Sequence, residues 1–361
     1  MLREDKTIYG GIMEDPACLR KNIIAATFPD GVPRLWCPLL THYHDDGTID
    51  FERMTRHLEA IVPAVEGFLI PGSTGDGWEL DDTQTLDVAR FAVRQAQKLG
   101  CRLLLGVLKR DTTAMIRTIS ALLGAEAAGQ SKEDTLRILR EKHIVGFTVC
   151  PPAGKDLTQS QIMAALGEIL EMGLPTALYQ LPQVTGNEVA PETFAGLARR
   201  YANLIFFKDS SGQDRIARSG ADGGGIFMVR GAEGDYVDWL KIAAGPYDGF
   251  LLSTANVFAR ELKALIAGLE RGDRAAAAAI SRRLTAAINE IFALVRTLPY
   301  GNPFTNANKA CDHFFAFGTA AERRPPPLLR SGVRLPGGVM AATQDILRRY
   351  LLLPEKGYLE G

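Results

Sequence analysis

Leu204-Ile205-Phe206-Phe207-Lys208-Asp209-Ser210-Ser211-Gly212 reads as a buried strand that ends on a lysine and breaks into a polar, glycine-containing turn. Residue chemistry allows two readings of Lys208. As an ordinary surface charge it would pair with Asp209 at the strand end, the usual fate of a lysine. As a nucleophile it would attack a carbonyl through its neutral amine, with burial beside Phe206 and Phe207 drawing its pKa from about 10.4 towards neutrality. Which applies depends on where in the fold this strand ends.

Outward from that stretch the chain alternates short apolar runs with helical periodicity. Strands are expected at 35–40, 67–71, 102–107, 146–150, 176–181, 204–207, 226–231 and 249–252, and each is nearly all apolar, as when both faces are covered. Helices are expected between and after them, at 50–62, 81–98, 112–128, 158–171, 191–201, 213–219, 235–243 and 257–270. Eight βα units in series favour a (β/α)8 TIM barrel over an open doubly wound sheet. Lys208 then ends strand six, at the barrel face where catalytic residues sit, which raises the nucleophile reading. Three segments fall outside the bare barrel. Residues 1–31 form an N-terminal extension, the barrel covers 32–271, and 272–361 is a helical region packed on it. That region holds an alanine-rich helix to 296, a helix at 305–317, the stiff Pro325-Pro326-Pro327 and a helix at 338–352. An inserted helix is expected within 129–143, capped by Ser131 and apolar along Leu136 and Leu139.

The 361 residues are 46% hydrophobic, enough for a large core, and carry 41 basic against 42 acidic side chains. That balance, with no long run of either sign, excludes a broad nucleic-acid or membrane-surface footprint and points to a small-molecule partner or a second copy of the chain. No stretch has the apolar length of a membrane helix, and the first 30 residues lack the apolar core of a signal peptide. Five scattered cysteines without a C-x-x-C argue against a disulfide framework and for a reducing, cytoplasmic setting.

Three strand ends carry candidate chemistry. Gly72-Ser73-Thr74-Gly75-Asp76 follows strand two, where two glycines, exposed N–H groups and two hydroxyls make a cradle for a small carboxylate. Tyr179-Gln180-Leu181-Pro182-Gln183-Val184-Thr185-Gly186 ends strand five, and its tyrosine stands one strand from Lys208, where it can pass protons. His42-Tyr43-His44 after strand one resembles the metal pair of the amidohydrolases. That family needs further histidines at later strand ends, whereas His57, His143 and His313 lie on helices or before a strand, so no metal is expected.

Taken together, the motifs at Gly72–Asp76, Tyr179–Gly186 and Lys208–Gly212 resemble the dihydrodipicolinate synthase and N-acetylneuraminate lyase superfamily. The resemblance runs from about Val32 to Leu352 and includes Cys37-Pro38, Gly249 to Asn256, Asn302-Pro303 and Lys309-Ala310. It implies that Lys208 forms an imine with the keto group of pyruvate or a 2-keto acid and that Tyr179 is the acid–base group. Gly72, Ser73 and Thr74 would hold the substrate carboxylate, and Gly231 and Leu251 would line the imine through backbone. Asp209, Ser210 and Ser211 would face distal hydroxyls. The resemblance further implies no cofactor and a homotetramer or dimer. Three departures stand out: Asp76 replaces the family's glutamate, Val184 stands where synthases of the dihydrodipicolinate type carry arginine, and Pro151-Pro152-Ala153 replaces their tyrosine pair. These favour an aldolase or dehydratase acting on a 2-keto-3-deoxy sugar acid, with dihydrodipicolinate synthase and a non-catalytic 2-keto-acid-binding protein as alternatives.

Overall fold

The computed structural model describes residues 15–124 and 129–360. Eight parallel strands close into a barrel in chain order: β1 Leu35–Cys37, β2 Gly67–Ile70, β3 Arg102–Val107, β4 Ile144–Val149, β5 Thr176–Gln180, β6 Leu204–Asp209, β7 Phe227–Arg230 and β8 Gly249–Leu251. The pleat sends alternate side chains inward. Trp36, Leu69, Leu104, Val145, Ala177, Phe206, Val229 and Leu251 fill the barrel interior, and the opposite faces pack under the helices. The interior is tight: a Cβ on Gly67 would lie 2.4 Å from the Trp36 indole, so the indole occupies the space a side chain there would need.

Helices follow the strands where the sequence supplies caps. Asp50, Asp81, Asp111 and Thr158 accept N–H bonds at the starts of α2 Phe51–Ile61, α3 Asp82–Leu99, α4 Thr112–Leu123 and α6 Gln159–Leu170, with reciprocal capping boxes at Asp81 and Thr158. α4 stops at Leu123, before Gly124 at φ 70°, whereas the sequence reading carried it to Ala128; residues 125–128 lie outside the described residues. α5 Lys132–Glu141 is the inserted helix, capped by Ser131 with Leu139 buried. α7 Pro182–Thr185, α8 Pro191–Arg200 and α9 Arg215–Ser219 complete the middle of the chain.

The helix expected at 235–243 is a correction. Two short 3-10 turns, Tyr236–Asp238 and Lys241–Ala243, replace it. The Lys241 N–H goes to the Tyr247 carbonyl and the Tyr247 N–H to the Trp239 carbonyl, so an extended bridge takes the groups a helix would have used. The Gly245-Pro246 break that follows leaves too little chain to recover them.

The N-terminal extension begins with α1 Pro16–Thr27, which lies across the bottom of the barrel against α8 and β6. Its Arg20 is fully buried and donates to the carbonyls of Leu204 (2.7 Å), Gly224 (2.6 Å), Tyr201 (2.9 Å), Gly223 (3.4 Å) and Ala198. Phe28 then meets Trp36 edge-on at 6.1 Å and closes the interior from below. The earlier part of the extension, 1–14, is outside the described residues.

After α10 Ala259–Glu270 come α11 Arg274–Val295, α12 Pro303–Phe317 and α13 Gly337–Arg349. α12 crosses behind the loops that follow β2 and β8, and it is buried along almost its whole length. No helix among the described residues is long and apolar enough to cross a membrane.

Candidate active site

Alternation along β6 decides the site. With Phe206 in the interior, Lys208 also points inward, one layer nearer the carboxyl end, where it pairs in register with Tyr179 of β5. Its ammonium stands 4.1 Å from the centre of the Tyr179 ring and only 4% of the residue is exposed. Burial is the main cause that brings Lys208 down to about 7, against smaller opposing effects of Cys150, Glu233 and Cys37. Near neutral pH about half of the amine is therefore unprotonated and able to add to a carbonyl. Burial pushes the Tyr179 phenol up, partly offset by the hydroxyls of Ser210 and Ser73, so the phenol is a proton donor at working pH.

The other residues singled out in the sequence divide into two groups. Gly231 is at the site: a Cβ there would lie 2.8 Å from Lys208 Cε and 2.1 Å from Ser210 Oγ, so a side chain would displace the nucleophile. Ser210 is at the site as well, beside Tyr179 and not at a distal position. Leu251 fills the interior next to Trp36. Asp209 is a correction. The same alternation that turns Lys208 inward turns Asp209 outward, where its carboxylate accepts from the Ser211 N–H at 2.9 Å and lies 3.4 Å from the Tyr247 hydroxyl, fully buried behind the barrel wall. Ser211 likewise accepts N–H bonds from Gln213 and Asp214 within its own turn.

The turn at 72–76 is held so that its carbonyls face backwards. The Gly72 carbonyl accepts from Gly75 and Gly77, the Gly75 carbonyl from Thr41 Oγ1 at 2.7 Å, and the Ser73 and Thr74 carbonyls from side chains of α12. With those acceptors engaged, the buried Ser73 and Thr74 are left to present N–H and hydroxyl groups, the donor set that suits an anion.

Glu233, which the sequence reading passed over, lies on the loop after β7. Its carboxylate accepts from Ser253 Oγ (2.7 Å), Thr254 N (3.1 Å), Thr254 Oγ1 (2.7 Å) and Tyr236 Oη (3.0 Å). A fixed negative charge is thereby held close enough to Lys208 to oppose its loss of a proton. Arg230, stacked 3.7 Å over Trp239, anchors this loop by donating to the Ala232 and Gly234 carbonyls and both oxygens of Asp214. A carboxylate just past a barrel strand's carboxyl end is the signal that could have found Glu233.

Beside Tyr179 the wall is apolar. Leu108, Cys150 and Leu181 pack on its ring with Trp78 and Val184 at their edge. Of the side chains that could supply a cation, His42 is buried against His57, His44 is exposed beside Asp50 at 3.6 Å, Arg215 is 3.7 Å from Glu188, and Lys155 is exposed with its backbone beside Gly186.

His42, His57 and Asp312 form the one group among the described residues that could hold a metal ion. Its hydrogen bonding is complete without one. His57 Nε2 meets the Asn256 carbonyl at 2.8 Å, which leaves His57 Nδ1 to accept from His42 Nε2 at 3.1 Å. Asp312 is taken by Arg53 at 2.9 Å and by the Tyr358 hydroxyl at 3.0 Å. Burial holds His42 well below the usual histidine range. His42 and His44 thus point apart and do not make the pair that the sequence suggested.

The model of the dihydrodipicolinate synthetase family matches residues 137–301. The chain is 25% identical over 324 residues to 4-hydroxy-tetrahydrodipicolinate synthase 1 of Streptomyces coelicolor, an overlap covering 89% of this chain and 96% of that protein. It is 29% identical over 255 residues to the 4-hydroxy-tetrahydrodipicolinate synthase of Xanthomonas campestris, covering 68% and 76%. Among solved structures, YagE of E. coli K12, a prophage protein of the dihydrodipicolinic acid synthase family in complex with pyruvate, superposes with a TM-score of 0.71 at 20% identity, over 88% of this chain and 98% of that one.

Proposed function

We propose that the chain is a lyase of the dihydrodipicolinate synthase superfamily, whose family model matches residues 137–301, and that Lys208 condenses with the keto group of pyruvate or of a larger 2-keto acid. The observation that carries this reading is a buried amine brought to about 7 and paired across strands with a protonated phenol. The neutral Nζ adds to the keto carbon while Tyr179 gives a proton to the keto oxygen. The nitrogen returns a proton to Tyr179, which passes it to the hydroxyl; that group leaves as water and the C=N bond forms. The resulting iminium draws the electron pair of an adjacent bond. Breaking C3–C4, with loss of the C4 hydroxyl proton, releases an aldehyde and leaves the enamine. Loss of a C3 proton followed by departure of a C4 hydroxyl releases water. Ser73 and Thr74 would hold the carboxylate, and the fixed anion of Glu233 would favour the cationic imine.

Within this chemistry we assign cleavage or dehydration of a hydroxylated 2-keto acid, such as a 2-keto-3-deoxy sugar acid. The support is the apolar wall of Leu108, Leu181 and Val184 beside Tyr179, with Val184 standing where synthases of the dihydrodipicolinate type carry the arginine that would pair with a second carboxylate. An ionic contact of that kind is worth roughly 1.5 to 3 kcal/mol, about 10- to 150-fold in binding. The second reading, 4-hydroxy-tetrahydrodipicolinate synthase, is favoured by the names of the curated relatives. Measuring kcat/KM for pyruvate with aspartate semialdehyde against a panel of 2-keto-3-deoxy acids separates them. We expect the panel to win; a clear preference for the semialdehyde transfers the assignment to the synthase, and no turnover of either leaves a 2-keto-acid-binding protein. A cytoplasmic homo-oligomer belongs to the same proposal, supported by the family, with sedimentation velocity as its test.

A further inference from the structure

Behind the 72–76 turn lies a buried cluster of charge that imine chemistry does not use. Lys309 of α12 is buried, with its ammonium 3.3 Å from Asp76 Oδ2, 3.4 Å from the Leu328 carbonyl and 4.4 Å above the ring of Tyr43. The Tyr43 hydroxyl donates to the same Asp76 oxygen at 2.9 Å. Asp76 itself closes the turn at φ 59°, a left-handed conformation that is uncommon outside glycine and that aspartate tolerates better than most residues. Further along the same helix, Thr305 Oγ1 donates to the Thr74 carbonyl at 2.9 Å, and Asn302 Nδ2 donates to the Ser73 carbonyl at 3.2 Å. Positions 302, 305 and 309 fall on one stripe of α12.

The energetics argue that this stripe has a task. A buried ion pair contributes little net stability, because desolvating both charges offsets their attraction. What it does supply is a fixed geometry, and here it fixes a turn whose three glycines, Gly72, Gly75 and Gly77, give it unusual freedom when unrestrained. We propose that Lys309 is a positioning residue that, with Asp76, Tyr43, Thr305 and Asn302, holds Ser73 and Thr74 in the conformation that receives the substrate carboxylate. The inference rests on the reading that these two residues bind that carboxylate. Lys309 does not touch substrate; it acts through the turn.

The test separates a carboxylate effect from a general one. Borohydride trapping on Lys208 is measured as a function of ketone concentration for pyruvate and for acetone, which lacks a carboxylate, together with the calorimetric affinity for pyruvate. In Lys309→Met the pyruvate concentration for half-maximal trapping should rise about 10- to 100-fold, as expected when a buried charge loses its partner, while acetone trapping stays within about twofold. Asn302→Ala, which removes the bond to the Ser73 carbonyl and the cap on the Thr305 N–H at a partly exposed residue, keeps the test open should the first variant not fold, and should weaken pyruvate about fivefold with acetone again unchanged. Equal losses for both ketones, or unchanged pyruvate binding in both variants, overturns the proposal. Absence of any trapping in the unmodified protein refutes the imine reading by itself, and the calorimetric comparison then decides the positioning claim alone.

Discussion

Strand β6 carries a buried cation at each end, and the two are treated oppositely. At the bottom, Arg20 reaches the first residue of the strand and finds five carbonyl acceptors. At the top, Lys208 faces the Tyr179 ring at 4.1 Å and, among the described residues, makes no hydrogen bond to a carbonyl or carboxylate. Burial lowers both groups, but Arg20 keeps its proton because a guanidinium starts so high and its neighbours are all acceptors. Lys208 has neither advantage, and burial brings it to about 7. Two buried positive side chains therefore suit different work: one ties α1 to the barrel, and the other is the nucleophile of the proposed imine chemistry. Acceptor supply and depth together tell a structural cation from a chemical one.

Substitutions should separate the two ends. The largest effect is expected from Lys208→Ala, which removes the covalent route: turnover and the borohydride adduct with pyruvate both vanish, while the urea midpoint does not fall. Peptide mapping that places an adduct elsewhere would dissolve the contrast. Tyr179→Phe keeps the amine but removes the proton carrier, so kcat should drop by about 10² to 10⁴; an unchanged rate takes the tyrosine out of the mechanism. Arg20→Met should do the reverse, costing about 3 to 4 kcal/mol of folding stability by stranding several carbonyls, with kcat of the folded fraction nearly intact. A large fall in kcat at unchanged stability would mean the bottom of β6 communicates with the top.

The gentlest probe is pH. A lysine with a depressed folded pKa is reactive above that value and silent below it. Trapping with pyruvate should therefore lose about tenfold per pH unit below about 7 and level off above. Between about pH 7 and 10.4, above that reactivity loss, the unfolded chain binds the proton that the folded chain refuses, so this group lets stability fall as pH drops from about 10.4 to about 7. A trapping profile centred near 10 would show Lys208 to be an ordinary solvated amine.

The barrel and its central pair were legible because they rest on periodicity and order. Eight apolar runs at regular spacing announced the strands, and successive strands in a barrel are neighbours, which set Tyr179 beside Lys208. Counting by two from Lys208 also turns Asp209 outward, against the expectation that it faces distal hydroxyls. Glu233 was harder, because its partners Ser253, Thr254 and Tyr236 come from two different loops and show no shared pattern. Arg20 was out of reach, as its acceptors are backbone carbonyls that look alike in any sequence. The 235–243 segment failed for a related reason: a bridge to Tyr247 outbid local helix propensity.

The bond between Lys309 and Asp76 spans 233 residues, and this has a consequence for the newly made chain. At a synthesis rate of about 5 to 20 residues per second, the turn at 72–76 waits roughly 10 to 50 s on the ribosome before its clamp is made. Lys208 emerges well before that, in a chain without a finished cradle. Any 2-keto acid that meets the nascent polypeptide therefore finds an amine not yet set up to keep it, and reactivity waits until α12 has been made. A stalled chain that ends before Pro303 should accordingly fail to take up pyruvate, and one that does would show the cradle to be set by the barrel alone.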